Sequence, residues 1–266
     1  MIKPTIENIL SRWAGKERHQ RFFEWLQEQA LKGMHIGQGG GMEATGQAIV
    51  LDRLKAKNPD KKKWIVFDVG ANKGDYSQLV VDRFGKQAKI FAFEPSASTF
   101  ALLRKRFGAS EQISLVQLGM SDQESTQTLY SNKPGSGLAS LYDRKLVHHN
   151  IQLEAVEMVE LTTLDVFCSK NNISEIDLLK LDIEGHELAA LQGAQQLLQT
   201  GKIHRIQFEF GGCNIDSRTF FQDFYYLLNP QYRIYRIVKD GWFEVTDYRE
   251  NYEAFKTTNF MAVLRS

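Results

Sequence analysis

Residues 67–76 read FDVGANKGDY, and the junction they encode decides the fold. WIVFDVG (64–70) is a short apolar, β-branched run closed by glycine, whereas DYSQLVVDRFG (75–85) carries Tyr76, Leu79, Val80 and Phe84 at helical spacing. A strand is followed by a turn and then a helix. At such a junction backbone N–H groups and the positive end of the helix converge on the carboxyl edge of the strand, which makes a cradle for a ligand. Gly70 and Gly74 flank the turn.

The same rhythm continues outward. AKIFAFE (88–94), ISLVQLG (113–119), IDLLKLD (176–182), IHRIQFEF (203–210), QYRIYRIV (231–238) and NFMAVL (259–264) read as further strands. STFALLRKRFG (98–108), ELAALQGAQQLLQ (187–199) and RTFFQDFYYLL (218–228) read as the helices between them. Continuous apolar strands alternating with helices imply a doubly wound α/β fold: seven strands, mostly parallel, covered on both faces. Residues 121–161 interrupt the pattern. QTLYSNKPGSGLASLYDRKLV (127–147) is rich in Ser, Gly and Asn, and VEMVELTTLD (156–165) regains strand character, so a hairpin-like excursion is expected where substrate is usually met.

Residues 1–60 precede the sheet as a helical extension, leaving 61–266 as the α/β domain. Phe22, Phe23, Trp25, Leu26, Ala30 and Leu31 recur at helical spacing up to Gly33. After the cluster Gly37, Gly39, Gly40 and Gly41, a second helix is expected over MEATGQAIVLDRLKAK (42–57), ended by Asn58-Pro59. The first of these helices is a candidate partner-binding or homo-oligomer element.

Composition excludes several classes. The 266 residues are 42% hydrophobic, with 33 Lys+Arg against 32 Asp+Glu, so the chain as a whole has no charge surplus to draw it onto nucleic acid or an anionic membrane. Cys168 and Cys213 form neither a disulfide framework nor a zinc motif, and no metal is expected. The N-terminus lacks an apolar signal core and no run is long enough to span a membrane, so a cytoplasmic setting is the expectation.

The turn is GxxxG, with Asn72 where a GxGxxG dinucleotide fingerprint places its middle glycine. A pyrophosphate is therefore not required, and S-adenosylmethionine fits: the turn can hold its carboxylate while Asp68 holds its amino group, directly or through water. Glu94, followed by Pro95, ends the second strand where a carboxylate chelates ribose hydroxyls; alternatively it stabilises the helix that follows. VQLGMSDQES (116–125) delivers Met120, Ser121 and Asp122 towards an adenine, although Asp122 equally suits a turn cap. LLKLDIEGHE (178–187) places Asp182 opposite a methyl donor, with Glu184, His186 and Glu187 at the next helix start, where carboxylates also complement the helix dipole. Lys180 can pair with one of these acids, and Glu209 adds another on the same edge. His148-His149 and Lys61–Lys63 read as solvated segments.

FDVGANKGDY, FAFEPS, LLKLDIEGHELAALQGA and NFMAVL together resemble the FkbM-type methyltransferases over roughly residues 62–264. The Lys180-to-Ala194 pattern KxDxEGxExxxLxGA is the most specific element. The resemblance implies a Rossmann-like, class I S-adenosylmethionine-dependent O-methyltransferase acting on a hydroxyl of a sugar, glycan or polyketide-like small molecule. It assigns Asp68, Gly70, Asn72 and Gly74 to the cofactor loop, Glu94 to the ribose, and Asp182 and Glu184 to the fourth-strand motif; Ala71, Tyr76, Pro95, Ser121, Asp122 and Asp182 complete the expected cofactor site. Asp182 or His186 is the expected base, with Glu184 and Glu209 orienting the acceptor; Arg218 or Tyr142 lines its pocket. An NAD(P)-dependent oxidoreductase, a nucleic-acid methyltransferase and a non-catalytic cofactor-binding module are the rival readings, the second disfavoured by the absence of a [DN]PPY-like motif and of a basic face.

Overall fold

The computed structural model describes residues 2–37, 41 and 45–265. Gly39 and Gly40 of the glycine cluster, and 42–44 at the expected start of the second helix, lie outside them. Among the described residues three α-helices precede the first strand: α1 (Ile2–Trp13), α2 (Gln20–Gly33) and α3 (Gln47–Lys57). The first winding is β1 (Trp64–Val69), α4 (Asp75–Phe84), β2 (Ala88–Phe93), α5 (Ala97–Phe107) and β3 (Ile113–Val116). The excursion contributes β4 (Gly119–Met120), β5 (Ser125–Ser131) and β6 (Ala155–Thr162), and α6 (Leu164–Lys170) leads back. The second winding is β7 (Leu178–Leu181), α7 (Glu187–Gln192), α8 (Gln195–Gln199), β8 (Arg205–Phe210), α9 (Cys213–Ser217), α10 (Phe221–Leu228), β9 (Tyr232–Val238), β10 (Gly241–Val245) and β11 (Thr258–Leu264).

Among the described residues the main sheet has eight strands in the order β10-β9-β11-β8-β7-β1-β2-β3. The five from β8 to β3 are parallel, and β11, β9 and β10 are joined on by successive antiparallel pairings. The chain winds outward from β1 in one direction and returns to β7 on its other side, so the crevice above these two strands is the switch point where ligands of such sheets lie.

The eighth strand corrects the expectation of seven. β10 is a short hairpin return on the sheet edge with Phe243 and Glu244 exposed, so it never presents the continuous apolar run of a strand buried on both faces. The third strand is also shorter than read: Gly119 and Met120 leave it and pair with Leu161 and Thr162 in a separate β4-β6-β5 sheet. The expected helix over 187–199 is two helices. Gly193 sits so close to the excursion that a Cβ there would stand 2.0 Å from the Ser121 carbonyl oxygen, and its own carbonyl accepts from the Asp165 N–H at 3.1 Å. Helices α6 and α9, of seven and five residues, are too short to show a helical period, and α1 is not among the expected elements.

Alternation along β1 sorts the two cores. Trp64 and Val66 face α3 and α4, packing with Val50, Leu51, Leu54, Val80 and Phe84, whereas Phe67 and Val69 face the side of α6, α7 and α10, with Phe167, Leu188, Leu191 and Phe224. The last helix of the extension is therefore part of the first core. Leu51 is fully buried there, and Leu51→Ala should cost about 2–5 kcal/mol. Urea unfolding followed by circular dichroism should show this as a shift of one transition; a separate early transition would mean that α3 is an appendage.

Candidate active site

The turn after β1 is held in place by its neighbours. Gly70 and Ala71 N–H groups donate to the Phe93 carbonyl at 3.1 and 2.9 Å, tying it to the end of β2. Gly70 has φ +79°, and a Cβ there would lie 2.0 Å from the Asp182 carbonyl oxygen, so only glycine lets the tips of β1 and β7 meet. Asn72, at φ +50°, donates its backbone N–H to Glu94 Oε2 at 3.0 Å and its Nδ2 to the Ser136 carbonyl at 2.9 Å; its Oδ1 is buried without a hydrogen bond. Gly74 serves packing instead: a Cβ would stand 2.4 Å from the Phe107 ring on α5.

Glu94 supports the helix that follows it and also faces a cavity. Oε1 accepts from Ser96 N–H at 3.0 Å, supporting the start of α5, while the side chain forms part of a cavity wall with Pro95. Burial pushes its carboxyl up to about 7, against the pull of the Ser96 and Asn72 N–H groups.

Beneath the turn lies a buried polar row. Asp68, Lys180 and Gln207 are register partners across β1, β7 and β8. Asp68 Oδ2 accepts from Ser77 Oγ at 2.7 Å, and its Oδ1 has no hydrogen bond but stands 3.6 Å from Lys180 Nζ. Lys180 Nζ donates to Asp182 Oδ2 at 3.1 Å and lies over the Tyr76 ring at 4.9 Å; the Tyr76 hydroxyl donates to Gln207 Oε1 at 3.1 Å. Burial alone would pull the Lys180 ammonium down, but Asp182, Asp68 and Glu209 hold it above its ordinary value. Asp68, expected beside the ligand, is thus fully buried below the cavity floor.

The loop after β7 is shaped by Glu187, whose carboxylate accepts from Ile183 N–H at 2.8 Å and Gly185 N–H at 3.0 Å. It is fully buried and raised to about 7 by that burial, and it acts inside the loop. Glu184, at φ +52°, ion-pairs with Arg144, which also stands 3.7 Å from Asp216. Burial, with Asp182 and Glu187 nearby, lifts Glu184 to about 8 in spite of Arg144. His186 bridges two elements: Nδ1 meets the Tyr142 hydroxyl and Nε2 meets Ser121 Oγ, each at 2.9 Å. Because Ser121 donates its own proton to Asp122 Oδ1 at 2.9 Å, Nε2 must carry the imidazole proton and Nδ1 must accept from Tyr142. Burial lowers this histidine to about 4, which matches a neutral ring.

Two cavities meet over Gly70, Asn72, Gly137, Asp182 and Glu184. Glu94, Met120, Leu129, Leu161 and His186 line the first; Tyr76, Lys180, Glu209, Thr45 and Gln47 line the second. Asp182, with its side chain 34% exposed, faces both. Glu209, at the tip of β8, is raised well above the usual carboxylate range by burial and by Asp182, Glu184 and Glu187. Ser121 and Asp122 reach the site only through His186, and Arg218 is exposed and lines neither cavity. Ser136, Ser140, Arg144, Thr45 and Gln47 were not singled out in the sequence. The excursion reaches the site by pairing Ser140 Oγ with the Glu184 carbonyl at 2.8 Å and Arg144 with Glu184, contacts across about 40 residues that no local pattern signals. Among the described residues no three His, Cys, Asp or Glu side chains group to hold a metal ion.

The chain matches the profile of a methyltransferase FkbM domain over residues 68–236. It is 25% identical over 149 residues to the 2-O-methyltransferase NoeI of Sinorhizobium fredii (strain NBRC 101917 / NGR234), covering 52% of this chain and 60% of NoeI. It is 24% identical over 137 residues to the hexuronic acid methyltransferase AglP of Haloferax volcanii (strain ATCC 29605), covering 51% of this chain and 52% of AglP. The chain thus spans little more than half the length of these two curated relatives. Among solved structures it resembles a methyltransferase FkbM from Methylobacillus flagellatus KT, with a TM-score of 0.46 and 16% identity over 76% of this chain and 44% of that one.

The shifted carboxyls set a pH dependence. Glu94, Glu187 and Glu184 hold their protons more tightly folded than at the ordinary value of 4.5, so the stability they lend is complete below that pH. It is lost as pH rises through about 7 for Glu94 and Glu187 and about 8 for Glu184. His186 runs the other way, destabilising only as pH falls from 6.5 towards about 4. The thermal midpoint of the free protein should therefore fall from pH 6.5 to about 8, and Glu184→Gln should flatten the upper part of that fall. A midpoint rising over this window would contradict the burial of these acids.

Proposed function

The chain belongs to the FkbM methyltransferase family, and from that premise we propose that it moves a methyl group from S-adenosylmethionine to a hydroxyl of a sugar, glycan or related small-molecule acceptor. The observation that carries this reading is the paired carboxylates, Glu94 on the first cavity and Asp182 at its junction with the second, across a turn in which only a glycine fits. NoeI is named a 2-O-methyltransferase and AglP a hexuronic acid methyltransferase, which supports a sugar hydroxyl as acceptor.

The residues suit the cofactor. Asn72 Oδ1 is buried without a partner beside the Gly70–Asn72 turn, Glu94 presents a carboxyl in the adjoining wall, and the surrounding acids favour a cation. Glu94 would take the ribose side, Gly70 and Ala71 the amino-acid end, and Pro95 and Met120 the base. Asp68 and Gly74 act from below, by holding Lys180 and by seating α4 on α5. When bound, the cofactor supplies a sulfonium methyl open to in-line displacement. An NAD(P) reading is disfavoured by Asn72, whose side chain occupies the turn where a pyrophosphate needs bare backbone.

The protein's own task is to align the acceptor hydroxyl, take its proton and keep water out. Asp182 is the proposed base: it faces both cavities and the hydrogen bond it receives, from Lys180, engages one carboxylate oxygen. His186 is assigned a positioning role, since both ring nitrogens are engaged and the ring joins the excursion to Ser121. Glu209, in the wall of the second cavity, would orient the acceptor, and Glu184 with Arg144 would close the wall.

Calorimetric titration with S-adenosylhomocysteine should show saturable binding, weakened in Glu94→Ala. Radiolabelled methyl donor incubated with fractionated glycans and metabolites should label a carbohydrate fraction; binding without any labelled product would favour the non-catalytic module. Asp182→Asn should lower turnover about 10²–10⁴-fold with S-adenosylhomocysteine affinity unchanged. Full turnover in that variant would place the base elsewhere.

A further inference from the structure

A separate groove lies between the end of α2 and the β9–β10 hairpin. Lys32, His35, Arg236, Lys239, Trp242 and Arg249 are in its wall, and it shares no lining residue with the two cavities of the active site.

Arg236 is the anomaly in it. In register it stands between Phe243 on β10 and Phe260 on β11, and it is only 6% exposed. Its guanidinium lies 5.2 Å from the Phe243 ring, its Nε is buried without a hydrogen bond, and it has no ion pair among the described residues. Two further buried nitrogens of the same groove, Trp242 Nε1 and His35 Nε2, also lack partners. A buried cation without a counter-charge is destabilising, so a sequence that retains one has a use for it.

The surroundings define that use. Lys239 and Arg249 are exposed cations on the rim, Lys32 adds a third although it is paired with Glu28 at 2.8 Å, and Asp240 is the acid in the wall. The guanidinium fork matches two oxygens of one oxyanion, and the rim cations call for more than a single negative charge. Trp242 and the exposed Phe243 offer ring faces beside it. We propose that this groove binds a phosphomonoester whose organic part is apolar or aromatic. The site stands independently of the methyl-transfer reading.

Phenyl phosphate, inorganic phosphate and benzoate, titrated at constant ionic strength and followed by tryptophan fluorescence and calorimetry, test this. Phenyl phosphate should saturate and bind more tightly than the other two. Trp242→Phe should remove the fluorescence change while calorimetric binding persists. Arg236→Met should weaken phenyl phosphate more than about tenfold yet raise the thermal midpoint of the free protein, because a buried unpaired charge is gone. Lys239→Gln, at an exposed position, should weaken binding without moving the midpoint. The proposal is overturned if phenyl phosphate does not saturate, if benzoate binds as tightly, or if Arg236→Met keeps its affinity. A lowered midpoint in Arg236→Met would equally overturn it, by showing that the arginine serves the fold.

Discussion

A lysine ammonium buried between two carboxylates is the constraint around which the centre of this molecule is arranged. Lys180 extends from β7 to Asp182 on its own strand end and stands near Asp68 on β1, with the Tyr76 ring of α4 beside it. Removing such an ion from water costs several kcal/mol, in order of magnitude, unless charge and hydrogen bonds compensate. Compensation here comes from β1, β7 and α4 together. Their relative placement sets the height of the turn at Gly70–Asn72 and the direction of Asp182, so the electrostatics of the floor govern the geometry of the wall.

The excursion completes what the sheet begins. β4, β6 and β5 form a small sheet of their own, and the segment between β5 and β6 returns through Ser136, Ser140, Tyr142 and Arg144 to contact Asn72, Glu184 and His186. Four acids on this edge, Glu94, Glu184, Glu187 and Glu209, are raised chiefly by burial. Such clustering of shifted groups is common where a protein handles protons or cationic ligands. Of the four, Glu184 is the one the inserted segment contacts directly, through Ser140 and Arg144. Neutral His186 belongs to the same arrangement as a strut between that segment and Ser121.

Local pattern made much of the fold legible. The alternation of apolar runs and helical spacings marks the strands of the main sheet except β10, and Gly70, Glu94 and Asp182 emerge at strand ends because each strand closes on a polar residue or glycine. The β10 hairpin escaped because an edge strand exposed on one face has no continuous apolar signature. Gly193 escaped because its function is a close approach to Ser121, a residue far away in sequence. The glycine in the helix pattern was visible; the carbonyl it accommodates was not.

The sequence by itself determined the class of sheet, the turn able to cradle a ligand, and the acids at the tips of the strands, because these follow from short-range periodicity and from the chemistry of single residues. Tertiary structure alone decided which of those acids face a cavity. Asp68 and Glu187 proved to be internal supports, Asp182 and Glu94 reached the walls, and Thr45 and Gln47 arrived from an extension with no motif of its own. It also decided that Arg236 would be buried beside an aromatic ring and without an ion pair among the described residues, since neither can be read until β10 and β11 are laid on either side of it. Burial and pairing are sums over distant segments, and they exist only once the chain has closed on itself.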